Sequence, residues 1–451
     1  MDSVHFLDKL PFKRGWIHCV GIGGVGVSAL AELLLDGGYK ISGSDLEFNA
    51  NCAALTARGA RIGQGHKLEN LPPGDCCGVI TTSAAQLNNV ESVELMRRGV
   101  LALRRGEFLS ELCLCYQRPV LVAGSHGKSS ISAMLGWILS KQYIDVGLLL
   151  GARYNNDQRH ACLGNGDILV AEADESDGTV AMLKGYLSLI SNMDGDHAWN
   201  DEQLAEQKCA FRRYAASAGH TIYIDSPALR SILEGLPNCQ ALTAGDLQKF
   251  DKFVPERFCG YERSNAALAL SAAEYLQLDV AAAGAALQDY PGIERRQCEI
   301  CRSADNRLVV LEDYAHHPVE LASSLKVLKE RYDQYKIWVV FQPHRHQRLQ
   351  FYFKDFVQIL SDPDLTVRVM PVFSAWEAAS IDGVDHSDLV SHIRENGGKA
   401  EVINKDFTRE ADALVKSIAA CQQPVLIALI GAGDISKLTP ELEKIIRDQV
   451  N

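Results

Sequence analysis

Short apolar runs alternate with helical patterns along the whole chain, and each run ends at a glycine turn or a polar cluster. In the first hundred residues, apolar runs predict strands at 16–20, 39–45 and 77–82, and the spacing of apolar positions predicts a helix over 27–35. Strands that alternate with helices favour a parallel sheet with right-handed crossovers. We therefore expect an α/β unit in this part of the chain.

The same alternation starts again at two later positions. A strand at 119–123 leads into a helix over 131–139, and a third series of strands follows the turn at Tyr290-Pro291-Gly292. Further strands are predicted at 167–171, 187–191, 308–311, 337–341, 366–372 and 425–430, with one or two helices over 265–286. A length of 451 residues also fits three domains of roughly 150 residues. We predict three α/β domains, at 1–112, 113–292 and 293–451.

Composition narrows the class of protein. Hydrophobic residues make up 47% of the chain and charged residues 23%, which is ordinary for a globular protein and excludes a disordered or fibrous one. Lys and Arg number 45 against 57 Asp and Glu, a formal net charge of -12, whereas binding to nucleic-acid phosphates favours the opposite sign. We find no signal-peptide pattern and no apolar run near the ~18 residues of a membrane span. We therefore expect a cytoplasmic protein that binds neither nucleic acid nor membrane.

The 13 cysteines are scattered and odd in number. In a chain of this length they indicate reduced thiols, and Cys19, Cys113, Cys115 and Cys209 stand in runs that predict burial. The one CxxC pair, at 298–301, has no second pair at zinc-finger spacing and alternates as a strand does. We expect neither a metal nor a redox role for it.

A glycine-rich turn follows the first predicted strand. Gly21-Ile22-Gly23-Gly24-Val25-Gly26 opens the first helix, and Asp45 stands about twenty residues later at the end of the next strand. In this context, backbone amides and a helix N-terminus can hold a diphosphate. The pattern does not distinguish a dinucleotide from a nucleotide-sugar, and a plain glycine turn without a ligand is the alternative interpretation.

A second phosphate-binding pattern follows the strand at 119–123, in Gly124-Ser125-His126-Gly127-Lys128-Ser129-Ser130. The amides around Gly127 can hold phosphate oxygens, Lys128 supplies a positive charge towards the β- and γ-phosphates, and Ser129 can bind Mg²⁺. Its glycines are spaced more closely than in the general P-loop pattern, and a Gly-Lys-Ser turn without a ligand is the alternative.

Acidic side chains follow the next two strands. Four carboxylates lie within residues 172–177, and such crowding favours a bound cation. Because an acid beside a P-loop is the usual magnesium ligand, we expect this segment to supply a ligand for Mg²⁺, with a solvated acidic loop as the alternative. The Asp194-Gly195-Asp196-His197 segment after the following strand is a candidate second metal position, with a purely structural role of His197 as the alternative.

Two polar clusters follow strands of the third predicted domain: Asp313-Tyr314-Ala315-His316-His317-Pro318 and Gln342-Pro343-His344-Arg345-His346-Gln347-Arg348. Two arginines three positions apart beside several histidines suit a carboxylate or phosphate clamp, and a solvated basic turn is the alternative. Adjacent side chains on an extended segment point to opposite sides, so a metal site formed by His316 and His317 is not expected.

In this order the motifs resemble those of the Mur ligases, over nearly the whole chain. The likeness rests on the two glycine loops, the acidic segments and the two polar clusters, and also on residues 42–45, 82–84, 295–296 and 431–435. The two polar clusters resemble those of the alanine-adding members. One motif departs from the family, since Tyr261 and Glu262 stand where His and Asn are usual, and only Asn265 is retained.

The resemblance implies a fold, a reaction and a set of ligands. It implies a Rossmann-like N-terminal domain that binds a UDP-sugar, a central P-loop ATP-binding domain, and a C-terminal Rossmann-like domain that binds an amino acid and part of ATP. The implied reaction belongs to peptidoglycan precursor biosynthesis: ATP phosphorylates the lactyl carboxylate of UDP-N-acetylmuramate, and the amine of L-alanine attacks the acyl phosphate. ATP with Mg²⁺, or Mn²⁺ in its place, is then expected, in a monomer or homodimer.

The resemblance also assigns roles to residues of this chain. The UDP-sugar is expected at Gly21, Gly23, Gly24, Gly26, Ser44, Asp45 and Ser83. ATP is expected at Gly124, Ser125, His126, Gly127, Lys128, Ser129, Ser130, Asn265, Arg296 and Asp313, and the metal at Ser129, Glu172 and His197. The amino-acid pocket is expected at His316, His317, His344, Arg345 and Arg348. The implied catalytic residues are Lys128, Glu172, His197, Arg296, His344, Arg345 and Arg348.

Other functions compete with this one. A nicotinamide-dependent oxidoreductase would account for the first domain alone and leaves the Lys128 loop unexplained. A Mur-like binding protein without catalysis is favoured slightly by the altered 261–262 segment, although Lys128, Glu172 and the other catalytic residues named above are present. A ligase of the same mechanism with another acceptor (glycine, serine or a murein peptide in recycling) is not separated by sequence, because acceptor choice depends on pocket shape.

Overall fold

The computed structural model describes residues 7, 9–82, 88–157, 159–175, 178–196, 198–375, 377, 383–419 and 421–448. The chain divides into two compact units, Met1–Ile293 and Glu294–Asn451. The described strands form three sheets, two in the first unit and one in the second. Strands and helices alternate over most of the chain, as the apolar pattern predicts.

The first sheet is parallel throughout. Its elements are β1 (Trp16–Val20), α1 (Val25–Asp36), β2 (Lys40–Asp45), α2 (Ala50–Ala57), β3 (Arg61–Gln64), β4 (Cys76–Thr81), α3 (Val90–Arg97), β5 (Ala102–Arg104) and α4 (Arg105–Cys113). The strand order is β3-β2-β1-β4-β5. The direction of winding reverses between β1 and β4, so the turn after β1 lies at the switch point where sheets of this kind bind ligands.

The second sheet holds the second glycine loop. Its elements are β6 (Arg118–Ala123), α5 (Lys128–Lys141), β7 (Gly147–Leu149), β8 (Ala161–Cys162), β9 (Ile168–Glu172), β10 (Leu187–Ile190), α6 (Asp201–Ser217), β11 (His220–Ile224), α7 (Pro227–Leu233), β12 (Cys239–Leu242), α8 (Ala244–Phe250), α9 (Tyr261–Tyr275) and α10 (Val280–Gln288). The strand order is β12-β11-β10-β6-β9-β7-β8. Because β6 and β9 are parallel neighbours with Val122 opposite Glu172, the end of β9 lies beside the loop that follows β6.

The second unit contains one sheet. Its elements are β13 (Cys298–Arg302), β14 (Leu308–Asp313), α11 (Pro318–Arg331), β15 (Lys336–Phe341), α12 (His346–Phe351), α13 (Phe353–Leu360), β16 (Leu365–Val369), α14 (His386–Glu395), β17 (Lys399–Val402), α15 (Phe407–Ala419), β18 (Val425–Ile430) and α16 (Leu438–Asp448). The strand order is β13-β14-β18-β15-β16-β17. The carboxyl ends of β14, β18 and β15 are therefore adjacent, and the two polar clusters predicted from sequence follow β14 and β15.

Two features differ from the sequence-based expectations. The sheets are not wholly parallel, because β7 pairs antiparallel with β8 and β13 with β14. The predicted burial of Cys209 is wrong: the buried stripe of α6 runs through Gln207, Phe211 and Tyr214, which leaves Cys209 on the exposed side of the helix. The 13 cysteines are free thiols. Among the helices of the described residues, none combines the length and hydropathy needed to cross a membrane.

Candidate active site

The turn after β1 is shaped by glycine and held by Asp45. Gly21 has a φ of +74°, and a β-carbon there would collide with Cγ2 of Thr82. The backbone N–H of Gly23 donates to Oδ2 of Asp45 at 2.8 Å. Gly24 is the N-cap of α1 and has no side chain with which to cap the first N–H groups of the helix. An uncapped helix N-terminus at a switch point can bind a diphosphate.

Arg105, the first residue of α4, lies against this turn. A β-carbon at Gly26 would come within 2.7 Å of Cδ of Arg105, so the arginine side chain occupies the space beside the glycine. Its Nη2 donates to Oδ2 of Asp174 at 3.0 Å. Arg105 is not among the site residues predicted from sequence, although its position directly after a strand of the same parallel sheet is a signal for it. The structure thus adds a cation to the predicted diphosphate site.

Ser44, predicted to contact the UDP-sugar, belongs to a buried hydrogen-bond network. Its hydroxyl donates to the carboxylate of Glu91 and lies 2.8 Å from Nδ1 of His66. Glu91 also accepts a hydrogen bond from the side-chain amide of Asn70 at 2.9 Å. Burial opposes ionisation of Glu91, but hydrogen bonds from His18, Ser44 and others hold its pKa at about 2. The network fixes the ends of β2 and β3, and a ligand contact of Ser44 stays a prediction.

The second glycine loop begins α5. Gly124 and Gly127 have φ values of +142° and +85°, and Gly127 is the N-cap of the helix. A β-carbon at Gly127 would come within 2.8 Å of Oδ1 of Asn265, so the one retained residue of the altered motif lies directly against this loop. Ser130 is half-buried in the first turn of α5.

Segment 192–194 after β10 supports the same loop. The backbone N–H of His126 donates to Oδ1 of Asn192 at 2.8 Å, and the hydroxyl of Ser125 accepts from the N–H of Asp194 at 3.2 Å. Nε2 of His126 lies 2.7 Å from the carboxylate of Asp194. These contacts hold the loop in place before α5, and they use the N–H groups of Ser125 and His126 within the protein.

Lys128 is held by Glu175. Its Nζ donates to both carboxylate oxygens of Glu175, at 2.9 and 3.0 Å, and to the carbonyl of Gly124 at 2.6 Å. Burial raises the pKa of Glu175 to about 7, because its effect outweighs the lowering caused by the positive charge of Lys128. Burial disfavours the Lys128 ammonium, but the carboxylates of Glu175 and Asp174 outweigh that effect and raise its pKa. From sequence, Glu175 is one of four clustered acids, and its pairing with Lys128 is not predicted.

Two predicted metal ligands lie together. The hydroxyl of Ser129 donates to Oε2 of Glu172 at 3.0 Å, and the backbone N–H of Gly151 donates to Oε1 of Glu172. A hydroxyl and a carboxylate oxygen beside a phosphate loop fit the oxygen ligands that Mg²⁺ prefers. The third predicted ligand, His197, and the predicted UDP-sugar contact Ser83 lie outside the described residues.

In the second unit, Asp313 and Arg296 share one polar region. Asp313 ends β14, is buried, and accepts a hydrogen bond from the hydroxyl of Ser324 at 2.6 Å. Burial raises its pKa, and the charge of Arg296 works in the opposite direction. Nη1 of Arg296 donates to Glu320 at 3.4 Å, and its guanidinium lies 5.3 Å from the ring centre of Tyr314.

Three residues predicted for the amino-acid pocket lie together. The rings of His316 and His344 have centres 5.4 Å apart. Nη1 of Arg348 lies 3.1 Å from Nδ1 of His344, and Arg348 is almost completely buried. A buried guanidinium that is held in place beside two imidazoles is suited to binding a carboxylate.

His317 and Arg345 have different surroundings. His317 is the N-cap of α11, and its ring packs against Tyr352 with centres 4.5 Å apart, whereas His316 lies on the His344 side. The adjacent histidines thus point apart, as expected for an extended segment. Arg345 has a φ of +69°, and its N–H donates to the carbonyl of Phe373 at 2.8 Å. That backbone contact fixes the turn on which His344 and Arg345 stand.

Family models match two parts of the chain. The model described as Mur ligase family, catalytic domain matches residues 16–117, and the model described as Mur ligase, glutamate ligase domain matches residues 296–433. The UDP-N-acetylmuramate–L-alanine ligase of Bradyrhizobium diazoefficiens is 32% identical over 95% of this chain and 97% of that protein. The protein of the same name from Sulfurihydrogenibium sp. is 32% identical over 96% of this chain and 98% of its own.

Solved structures share the fold. The UDP-N-acetylmuramate-alanine ligase of Thermotoga maritima matches with a TM-score of 0.79 at 22% identity, covering 96% of this chain and 99% of that chain. A murein peptide ligase from Psychrobacter arcticus matches with a TM-score of 0.67 at 20% identity, covering 96% and 98%. These likenesses confirm the predicted fold class, three α/β domains with Rossmann-like sheets.

Proposed function

This chain is a member of the Mur ligase family, and we propose that it uses ATP to join L-alanine to the lactyl carboxylate of UDP-N-acetylmuramate. It is an ATP-dependent acid–amino-acid ligase of peptidoglycan precursor biosynthesis. The observation that supports the chemistry is the Lys128 loop with Ser129 and Glu172 in contact beside it. A nicotinamide-dependent oxidoreductase has no use for that arrangement.

We assign the binding of the substrates to three regions of the chain. Residues 1–112 bind the UDP-sugar, with the diphosphate at the turn of residues 21–26 and Arg105 as its cation. Residues 113–292 bind ATP, and residues 293–451 bind the amino acid and part of ATP. A net charge of -12 and 13 free cysteines suit a cytoplasmic enzyme, a monomer or homodimer, that binds neither nucleic acid nor membrane.

In the first step, ATP phosphates are held by the N-terminus of α5 and by Lys128. Since the Lys128 ammonium already contacts Glu175 and Gly124, at least one of these contacts must be exchanged for a phosphate oxygen. Mg²⁺, when bound by Ser129, Glu172 and His197, would offset negative charge on the transferred phosphoryl group. The lactyl carboxylate attacks the γ-phosphorus, ADP leaves, and an acyl phosphate forms.

In the second step, the amine of L-alanine attacks the acyl carbon, and phosphate leaves from a tetrahedral intermediate. We assign the carboxylate of L-alanine to Arg345 and to the group formed by His316, His344 and Arg348. His317, the N-cap of α11, supports that pocket rather than lining it. Arg296 offsets charge on the ATP phosphates, and Asp313 accepts hydrogen bonds from the ribose.

The test is phosphate release by purified protein with ATP, Mg²⁺ and UDP-N-acetylmuramate, with and without L-alanine. Release that requires both substrates, with the joined product detected by mass spectrometry, is the expected result. If phosphate is released only with glycine, serine or a murein peptide, the assignment of L-alanine as the acceptor is wrong and the proposed mechanism still holds. Absence of release while the UDP-sugar still binds would favour a non-catalytic binding protein.

A further inference from the structure

The sheet of the second unit is incompletely covered at one edge. On one face, buried residues of α15 and α16 pack against apolar side chains such as Val310, Val340 and Ile427. The strand register places Trp338, Thr366 and Lys399 side by side, and in the next row Val340, Arg368 and Glu401. Over the outer strands β16 and β17 this face lines a cavity of about 430 Å³ instead of an apolar core.

Arg368 is the central polar group of this cavity. The residue is only 7% exposed, and its Nη2 donates to the hydroxyl of Ser417 in α15 at 2.9 Å. Its Nε forms an ion pair with the carboxylate of Glu401 at 3.8 Å, but this distance is too long for a hydrogen bond, and Nε has no hydrogen-bond partner among the described residues. A buried guanidinium is costly unless it is paired and fully hydrogen-bonded, and this one still lacks a hydrogen-bond acceptor at Nε.

The other polar groups of the cavity are mainly donors. The indole Nε1 of Trp338 and the hydroxyl of Thr366 are buried and lack hydrogen-bond partners within the described part of the chain. Arg368 lies over the Trp338 ring, 5.4 Å from its centre, which holds the guanidinium in place. The charged side chains of the lining are Arg368, Arg394, Lys399 and Glu401, three cations to one acid in a protein with a net charge of -12.

We propose that this cavity binds an oxyanion of the phosphate class, either inorganic phosphate or the phosphate group of a nucleotide. A phosphate offers several acceptor oxygens for donors such as Nε of Arg368, Nε1 of Trp338 and the hydroxyl of Thr366, which lie on one face of the sheet. An apolar ligand would leave these donors unpaired, and a cation would be repelled by the three basic side chains. The site lies wholly within the second unit, and it does not depend on the proposed ligase activity.

The first experiment is calorimetric titration of the full chain with inorganic phosphate. Arg368→Gln removes the buried charge and is expected to weaken phosphate binding about tenfold or more. Glu401→Gln removes the one acid of the lining and is expected to tighten it. Glu401 is exposed, so this second variant keeps the test valid if Arg368→Gln does not fold. Lys416→Gln is the matched control, since it removes an exposed charge next to Ser417 but outside the lining, and it should leave the affinity within about twofold.

A parallel titration with ADP distinguishes the two sources of phosphate. If a nucleotide is the ligand, Arg368→Gln removes one of two ADP sites; if free phosphate is the ligand, ADP binding is unchanged while phosphate binding weakens. Either result supports the site. The proposal is overturned if Arg368→Gln leaves both phosphate binding and ADP binding unchanged, or if Lys416→Gln weakens binding of the same ligand as much as Arg368→Gln does.

Discussion

Replacing Lys128 by Met removes the ammonium group and keeps an unbranched side chain. In the folded protein, Glu175 would lose the donor that contacts both of its oxygens, in a position where the residue is only 7% exposed. Breaking a buried ion pair from one side typically costs about 3–5 kcal/mol. Because the side chain of Lys128 itself is 18% exposed, we predict a loss near the lower limit, about 3 kcal/mol of unfolding free energy.

The loss of unfolding free energy in Lys128→Met should increase with pH. Burial already raises the pKa of Glu175 to about 7, and without Lys128 it would rise further. A carboxyl group whose folded pKa exceeds its unfolded value of 4.5 favours folding only when protonated. The destabilisation of Lys128→Met is therefore small in acid below that unfolded value, and it grows as the pH rises through 7.

Glu175→Gln and the double variant complete the measurement, by urea denaturation followed with circular dichroism. The double variant should recover most of the lost stability, because neither charge is left buried alone. Its kcat should nevertheless stay about 100-fold or more below wild type, since the lost charge acts on the phosphates. Additive stability effects, with a coupling below about 0.5 kcal/mol, would refute the pairing. Recovery of activity in the double variant would refute the role of Lys128 in phosphoryl transfer.

Three further predictions concern the first unit. Glu172→Gln should raise the Mg²⁺ concentration for half-maximal activity about tenfold or more while ADP binding in EDTA is unchanged, and an unchanged Mg²⁺ requirement would contradict the assignment. Arg105→Met should raise KM for the UDP-sugar about tenfold, and an equal rise in KM for ATP would show that it is not a diphosphate contact. Gly127→Ala adds a collision with Asn265 to the strain of a positive φ. The control is Gly235→Ala, because Gly235 also has a positive φ but has open space around it. Gly127→Ala should therefore destabilise the protein by about 1–3 kcal/mol more than Gly235→Ala.

The buried strands could be predicted from sequence because parallel strands covered on both faces form continuous apolar runs. For β18 the predicted bounds of 425–430 are those of the structure. The outermost strands could not be predicted in the same way. In β17, three of four residues are exposed, and β8 has only two residues, so neither leaves an apolar run in the sequence.

The glycine loops could be predicted because their conformation depends on local residues. Gly21 and Gly127 have positive φ values, and each stands between a strand and a helix that are visible in the apolar pattern. Contacts between distant residues could not be predicted from that pattern. The position of Arg105 directly after a strand is a local signal, but Arg105 meets Gly26 only because β5 lies on the far side of β4 in the same sheet, and the apolar pattern does not give that strand order.

The acidic segment after β9 shows where local reasoning fails. Crowded carboxylates in the sequence argue for one shared cation, but the structure gives each described acid its own partner: Glu172 contacts Ser129, Asp174 contacts Arg105, and Glu175 contacts Lys128. A metal site is therefore supported by Glu172 and Ser129 and not by the charge of the whole segment. It follows that neutralising the three acids one at a time should have three different effects. The change at Glu172 should alter the metal requirement, the change at Asp174 the affinity for the UDP-sugar, and the change at Glu175 the ion pair with Lys128. A shared cation would make the three effects alike.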